Sequence, residues 1–216
     1  MKRFELINFL IEKYGYTNYL EIGTANRSWC FNKINCESKT CVDPDPNAKA
    51  DWIMTSDMFF EEIAKTDYKP FDIIFIDGMH EYKQVVNDIF NSLGIMKYGG
   101  AIIIHDCNPK SAKAAIPWGE LQLDSSRDIK GIWNGDVYKA FIDFKHNLDK
   151  DKGELNSFVV NTDHGCGVII NKKLPIGGNK YPLEMESLNY NLFNKNRERL
   201  LELITVDEFK NYLNGK

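Results

Sequence analysis

Residues 71–109 read FDIIFIDGMHEYKQVVNDIFNSLGIMKYGGAIIIHDCNP, and this stretch decides the fold. Phe71 to Ile76 is a short apolar run that ends in Asp77, and Ala101 to Ile104 is a second one that ends in His105-Asp106. Between them Tyr82, Val85, Val86, Ile89, Leu93 and Met96 recur at intervals of three and four, a spacing that predicts an amphipathic helix. Run, helix and run, closed by Tyr98-Gly99-Gly100, make a βαβ unit with parallel strands. Asp77 and the His105-Asp106 pair then fall at the carboxyl ends of parallel strands, where open α/β sheets bind their ligands. They are candidates for one shared site.

Outward from this unit, the chain alternates strand and helix. Phe4, Ile7, Leu10 and Ile11 share one face of an N-terminal helix ending at Tyr14. Tyr19 to Gly23 reads as a strand running into a tight turn, with a helix over Ser28 to Ile34. Lys39 to Asp43 is a second strand, stopped by Pro44-Asp45-Pro46. Trp52-Ile53-Met54 reads as a third, weaker strand. Asp57 to Ala64 reads as a helix capped by Ser56 or Asp57. After Pro109 the alternation breaks. Lys110 to Lys130 has a polar middle, Leu123 to Asp128, of the kind that forms lids or substrate loops. Val137 to His146 is helical in pattern, and Trp133 to Asp136 just before it could shape an acceptor pocket. Phe158-Val159-Val160 and Gly167 to Ile170 read as a hairpin at one sheet edge, with Asp163-His164 as its loop tip. Glu198 to Ile204 and Val206 to Leu213 read as terminal helices.

The 216 residues suffice for one α/β domain. We expect a single domain over 1–216, with the N-terminal helix at 1–14, the core at 15–171 and a helical extension at 172–216. The net charge of −4 lacks the basic patch that a nucleic-acid partner needs. Five cysteines without a CxxC pair make a poor disulfide framework and read as reduced thiols, so a cytoplasmic location is expected. No apolar run approaches the length of a membrane span, and the N-terminus lacks a signal-peptide pattern. Phe4 to Ile11 and the terminal helices could bury a homodimer contact or finish the monomer.

The stretch Glu21-Ile22-Gly23-Thr24-Ala25-Asn26-Arg27-Ser28 follows a strand and opens a turn whose amides can face a polar group. Twenty residues beyond Gly23, Asp43 ends the next strand and can accept bonds from two ribose hydroxyls. A strand-helix turn without a ligand would read the same. The second and third glycines of a dinucleotide fingerprint are missing, which disfavours a pyrophosphate over this turn and a dehydrogenase with it.

Five segments carry a resemblance: YLEIGTANRS, CVDPDP, MTSDMFFEEI, FDIIFIDGMHEYKQVVND and YGGAIIIHDCNP. Through them the chain resembles class I S-adenosylmethionine-dependent methyltransferases, and among these the group of sugar-modifying O-methyltransferases similar to macrocin O-methyltransferase. The resemblance implies a Rossmann-like α/β fold: a seven-stranded, mostly parallel sheet with a C-terminal antiparallel hairpin and helices on both faces. It implies S-adenosylmethionine as cofactor, with Gly23, Thr24, Ala25 and Ser28 near its methionine part. Glu21 would orient the turn, Asp43 would hold the ribose, and Ser56 and Asp57 would border the adenine. Asp77 would meet the cofactor's amino group. The implied acceptor is a small molecule, a sugar hydroxyl.

A hydroxyl is a weak nucleophile, so methyl transfer needs in-line placement and a base or a metal to remove the proton. Asp77, His80 and Asp106 are the catalytic candidates, and the resemblance makes His80 the general base. The alternative is that His80 caps the following helix or bonds Asp106. Asp77, His105 and Asp106 form a candidate metal set for Mg²⁺ or another divalent cation, although His105 is softer than the acid that magnesium prefers. An N-methyltransferase on a small amine and a catalytically inactive cofactor-binding scaffold are the competing readings.

Overall fold

Apolar residues at alternate strand positions sort the core onto two faces of a sheet. The computed structural model describes residues 1–123, 133–149, 155–171, 180 and 183–215. In it, β3 (Phe71–Ile76) sends Ile74 and Ile76 into one buried cluster and Ile73 and Phe75 into another. β4 (Met96–Ile104) repeats the pattern, with Ile102 and Ile104 on one side and Ala101 and Ile103 on the other. Successive side chains on a strand point to opposite faces, so a sheet covered on both sides requires continuous apolar runs such as these. The first face is covered by α2 (Ser56–Ile63), α3 (Tyr82–Ile95), α5 (Val137–Asp143) and α6 (Tyr190–Leu201), through Phe59, Ile89, Phe141 and Phe193. The second is covered by α1 (Arg3–Tyr14) and α7 (Val206–Leu213), through Leu10 and Phe209. A short α4 (Trp118–Leu123) lies between β4 and α5.

With β1 (Asn18–Ile22), β2 (Ser38–Val42), β5 (Asn156–Val160), β6 (Cys166–Ile170) and β7 (Leu203–Ile204), the sheet has seven strands in the order β2-β1-β3-β4-β6-β5-β7. Neighbours from β2 to β4 are parallel. β6 runs against both β4 and β5, while β7 is parallel to β5. The architecture is the expected Rossmann-like α/β sheet, mostly parallel and carrying an antiparallel hairpin.

Several elements differ from the sequence reading. Trp52-Ile53-Met54 is not a strand: only Trp52 bridges Val42, because the Asp51 carboxylate takes the Cys41 amide at 3.0 Å along that edge of β2. The seventh strand is instead Leu203–Ile204, expected to be helical. Glu202 adopts a left-handed φ of 46° that ends α6, and Thr205 caps α7, leaving two residues to pair with β5. The hairpin does not close the edge, since β6 inserts between β4 and β5 and β7 lies outermost. Ser28 to Ile34 forms turns and a short 3₁₀ segment at Phe31–Lys33, because the Asn26 side chain captures the Ser28 amide at 2.9 Å. The α2 cap is Thr55, whose hydroxyl accepts the Met58 amide, and not the expected Ser56 or Asp57. Within the expected lid, the polar stretch Asp124 to Asp128 lies outside the described residues. Among the described residues no helix is long and apolar enough to cross a membrane.

Candidate active site

Strand register brings the functional residues abreast. Ile22 pairs with Ile76, and Ile76 with Ile104, so Gly23, Asp77 and His105 are the first residues beyond three adjacent strands. Backbone bonds hold this row, from the Asp77 amide to the Ile22 carbonyl at 2.8 Å and from the His105 amide to the Ile76 carbonyl at 3.0 Å. Gly23 has φ 83°, and a Cβ there would lie 2.2 Å from the Asp77 carbonyl oxygen. Its glycine is therefore required by the close approach of two strand ends, not by the turn alone.

Asp77, His80, His105 and Asp106 close into a ring of alternating carboxylate and imidazole. His80 Nε2 lies 3.3 Å from Asp77 Oδ1 and 3.2 Å from Asp106 Oδ2. His105 Nδ1 lies 3.2 and 3.1 Å from the same two oxygens. Among the described residues His80 Nδ1 is buried without a partner. The helix cap that His80 could have supplied comes from Glu81, whose carboxylate accepts the Gln84 amide at 2.9 Å. Trp133 packs beside the His80 ring at 5.1 Å between centroids. Asp106 takes a left-handed φ of 61°, uncommon for a non-glycine residue, and its carboxylate accepts from Asn134. Burial would raise the Asp77 pKa, but the neighbouring imidazoles of His105 and His80 hold it well below the usual carboxylate range. Burial lowers both histidine pKa values, yet the two carboxylates win: His80 is shifted upward and His105 rises to about 10.

Two further residues belong to this cluster and were missed in the sequence. Arg3, at the start of α1, places Nη1 3.1 Å from Asp77 Oδ2 and 2.9 Å from the His105 ring nitrogens. Asp163, read as a loop tip, accepts the Arg3 amide at 2.9 Å and lies 3.6 Å from its Nε. A faint signal existed. Lys2 and Arg3 are basic residues at a helix start, the wrong sign for the macrodipole, and call for an acid nearby. The topology supplies it: β5 runs parallel to β4, so the β5–β6 turn returns to the carboxyl ends of the strands.

Two adjoining cavities, of about 350 and 480 Å³, share Gly23, Ala25, Asp77, Gly78, His80 and Trp133. The smaller also takes in Glu21, Thr24, His105 and Asp106, and the larger takes in Asp43, Ser56 and Asp57. Of the expected site residues only Ser28 stays out; it is exposed and bonds Asn26. The Asp43 carboxylate braces the turn by accepting the Ala25 amide at 2.7 Å and the Asp45 amide at 2.8 Å. Each oxygen keeps a lone pair for a hydroxyl ligand. Gln84 Nε2 sits within 3.2 Å of Ser56 Oγ and 3.0 Å of Asp57 Oδ1, tying α3 to the far end of the cleft. Burial pushes Glu21 up to about 7, although Tyr19 donates to it at 2.6 Å.

Residues 20–107, which span β1 to β4 and this row of strand ends, match the family described as Methyltransferase domain. These residues are similar to a methyltransferase domain. Comparison with curated proteins returns no match. Among solved structures, those with a similar fold include O-methyltransferases. An O-methyltransferase from Bacillus cereus in complex with S-adenosylhomocysteine is 14% identical, with 78% of this chain and 80% of that one covered and a TM-score of 0.54. A putative caffeoyl-CoA O-methyltransferase from Staphylococcus aureus is 20% identical, covering 78% and 82% at a TM-score of 0.50. TomG from Streptomyces achromogenes, in complex with S-adenosylmethionine, is 12% identical, covering 78% of each chain at 0.50.

Asp77, His80 and Asp106 each offer one ligand atom within 4.8 Å of one another, and His105 Nδ1 stands as near the same two carboxylate oxygens as His80 does. A divalent ion fits this cluster poorly. The outer oxygen of Asp77 is already ion-paired to Arg3, and Asn134 bonds one oxygen of Asp106. The inner oxygens face imidazole nitrogens at 3.1–3.3 Å. Magnesium wants about six oxygen donors.

Proposed function

We propose that this methyltransferase moves the methyl group of S-adenosylmethionine onto a hydroxyl of a sugar or glycosylated small molecule. The observation that carries the reading is the junction of the two cavities, where His80, Asp77 and Trp133 belong to both. The larger cavity has the residues an adenosine needs: Asp43 for ribose hydroxyls, and Ser56 and Asp57 at the far end beside apolar Met54 and Val42. The smaller has the means to handle an acceptor proton. Three of the four tryptophans, Trp29, Trp118 and Trp133, line the two cavities, and flat aromatic faces with a few fixed polar groups suit a sugar ring.

In this reading the acceptor hydroxyl lies against His80, with its oxygen in line with the methyl carbon and the sulfur. The imidazole takes the hydroxyl proton as the oxygen–carbon bond forms. The carbon–sulfur bond breaks, its electron pair stays on sulfur, and S-adenosylhomocysteine leaves. The two carboxylates orient the His80 ring through Nε2 and stabilise the imidazolium formed, as an acid does behind a catalytic histidine. Positioning supplies much of the acceleration, because the sulfonium is already activated. No Mg²⁺ or other divalent cation at Asp77, His105 and Asp106 enters these steps.

Calorimetry with S-adenosylmethionine, S-adenosylhomocysteine and NAD, followed by a screen of neutral, amino and phosphorylated sugars for S-adenosylhomocysteine release, tests the reading. Binding of the first two and not NAD is expected, with turnover on hydroxyl acceptors. NAD binding, or turnover on amines alone, would overturn it.

A further inference from the structure

The acids of the transfer pocket come with a cation of their own. The Arg3 guanidinium lies on the outer oxygen of Asp77 and against both His105 nitrogens, with its side chain about three-quarters buried at 23% exposure. A contact this enclosed is not a solvated surface pair, which would count for little. The guanidinium is also pinned from behind. Asp163, whose side chain is only 7% exposed, accepts the Arg3 backbone amide and faces Nε, and Lys2 adds a second cation 3.6 Å from its other oxygen. Thr162, next in the same turn, donates to the Met1 carbonyl. Two elements remote in sequence, the start of α1 and the β5–β6 turn, are thus joined in a way that fixes one guanidinium. Arginine cannot lose its proton in a protein, so this positive charge is permanent.

We propose that Arg3, anchored by Asp163, is a positioning residue that fills the electrostatic place of a divalent cation. It holds Asp77 and His105 in their working orientation, and the acid pair Asp77–Asp106 takes up a dication only when Arg3 is gone. The functional meaning of this inference rests on the methyl-transfer reading, but its test does not.

The probe is Mn²⁺ alone, followed by the paramagnetic resonance of the free ion, on the wild type, Arg3→Ala, Arg3→Gln, Arg3→Lys and the double variant Arg3→Ala with Asp77→Asn. The same preparations are titrated with S-adenosylhomocysteine and melted. Wild type and Arg3→Lys should leave Mn²⁺ largely free. Arg3→Ala and Arg3→Gln should bind it at least roughly tenfold tighter, as loss of a like charge a few ångströms away requires. Adding Asp77→Asn should abolish the gain. The wild type should bind S-adenosylhomocysteine, which tests the methyl-transfer reading separately from the Mn²⁺ comparison. Tight Mn²⁺ binding by the wild type, or no gain in a charge-removing variant that melts like it, would overturn the proposal. Arg3→Gln keeps a hydrogen-bonding side chain and decides the matter if Arg3→Ala does not fold. Failure of the wild type to bind S-adenosylhomocysteine would remove the methyl-transfer reading and leave the Mn²⁺ comparison standing.

Discussion

At the scale of single residues, His80 is where the proposed chemistry and cofactor binding can be told apart. Its ring touches both carboxylates through Nε2, so replacing it should cost turnover and spare the adenosine end of the cleft. His80→Ala should lose roughly 10²–10⁴-fold in kcat, the usual worth of a general base, with S-adenosylhomocysteine affinity nearly unchanged. A loss under threefold would remove the base assignment. The pH profile carries a sign as well. Asp77 and Asp106 raise the His80 pKa against the effect of burial, and a base must be deprotonated to act. The rate should therefore climb with pH, with a midpoint above 6.5, and a midpoint below that value would contradict the geometry. Asp77 and Asp106 could be found in the sequence because polar residues that end apolar runs have only one place to go in a parallel sheet, whereas His80, three residues further on, is marked by the family resemblance. Arg3 and Asp163 could not be placed this way. They meet across 160 positions, and only the return of the hairpin brings them together.

At the scale of elements, the residues that lead into α5 position His80 through backbone contact. Gly135 has φ 62°, and a Cβ on it would fall 2.0 Å from the His80 carbonyl oxygen. Gly135→Ala must move one backbone or the other. It should cost about 1–3 kcal/mol in chemical denaturation from the left-handed backbone, and lower kcat more than tenfold while cofactor affinity holds. Wild-type turnover in this variant would show that His80 tolerates displacement. The strands and long helices were legible because their periodicity extends over many residues, as in α3 and β3. The errors fell on short pieces, where one side chain outweighs pattern. Asp51 takes a ladder bond and demotes Trp52–Met54, Asn26 unwinds the expected helix after Gly23, and a left-handed Glu202 frees Leu203–Ile204 for the sheet.

At the scale of the whole molecule, buried acids set the pH dependence of stability. Burial raises Glu21 to about 7 and Asp88 to about 6. Each holds its proton in the folded chain after the unfolded chain has lost it, so stability falls as pH climbs from about 4 to 7. The raised His80 and His105 values act in the same direction above about pH 6.5. The ligand-free protein should melt several degrees lower at pH 8 than at pH 5.5, and Glu21→Gln or Asp88→Asn should flatten that difference. An unchanged slope in both variants would mean that neither acid is protonated in the fold. The β5–β6 turn has a different kind of consequence. Residues 161–165 join two strands whose pairing is fixed by their own register, yet the tip reaches Arg3 and His105 beside Asp77. That tip is clasped from two sides, because the Gly165 and His164 carbonyls accept the Cys107 and Asn108 amides while Asp163 accepts the Arg3 amide. One small turn therefore works as a rivet between the chain's first helix and the strand end that carries Asp106, and a change in it is felt at both.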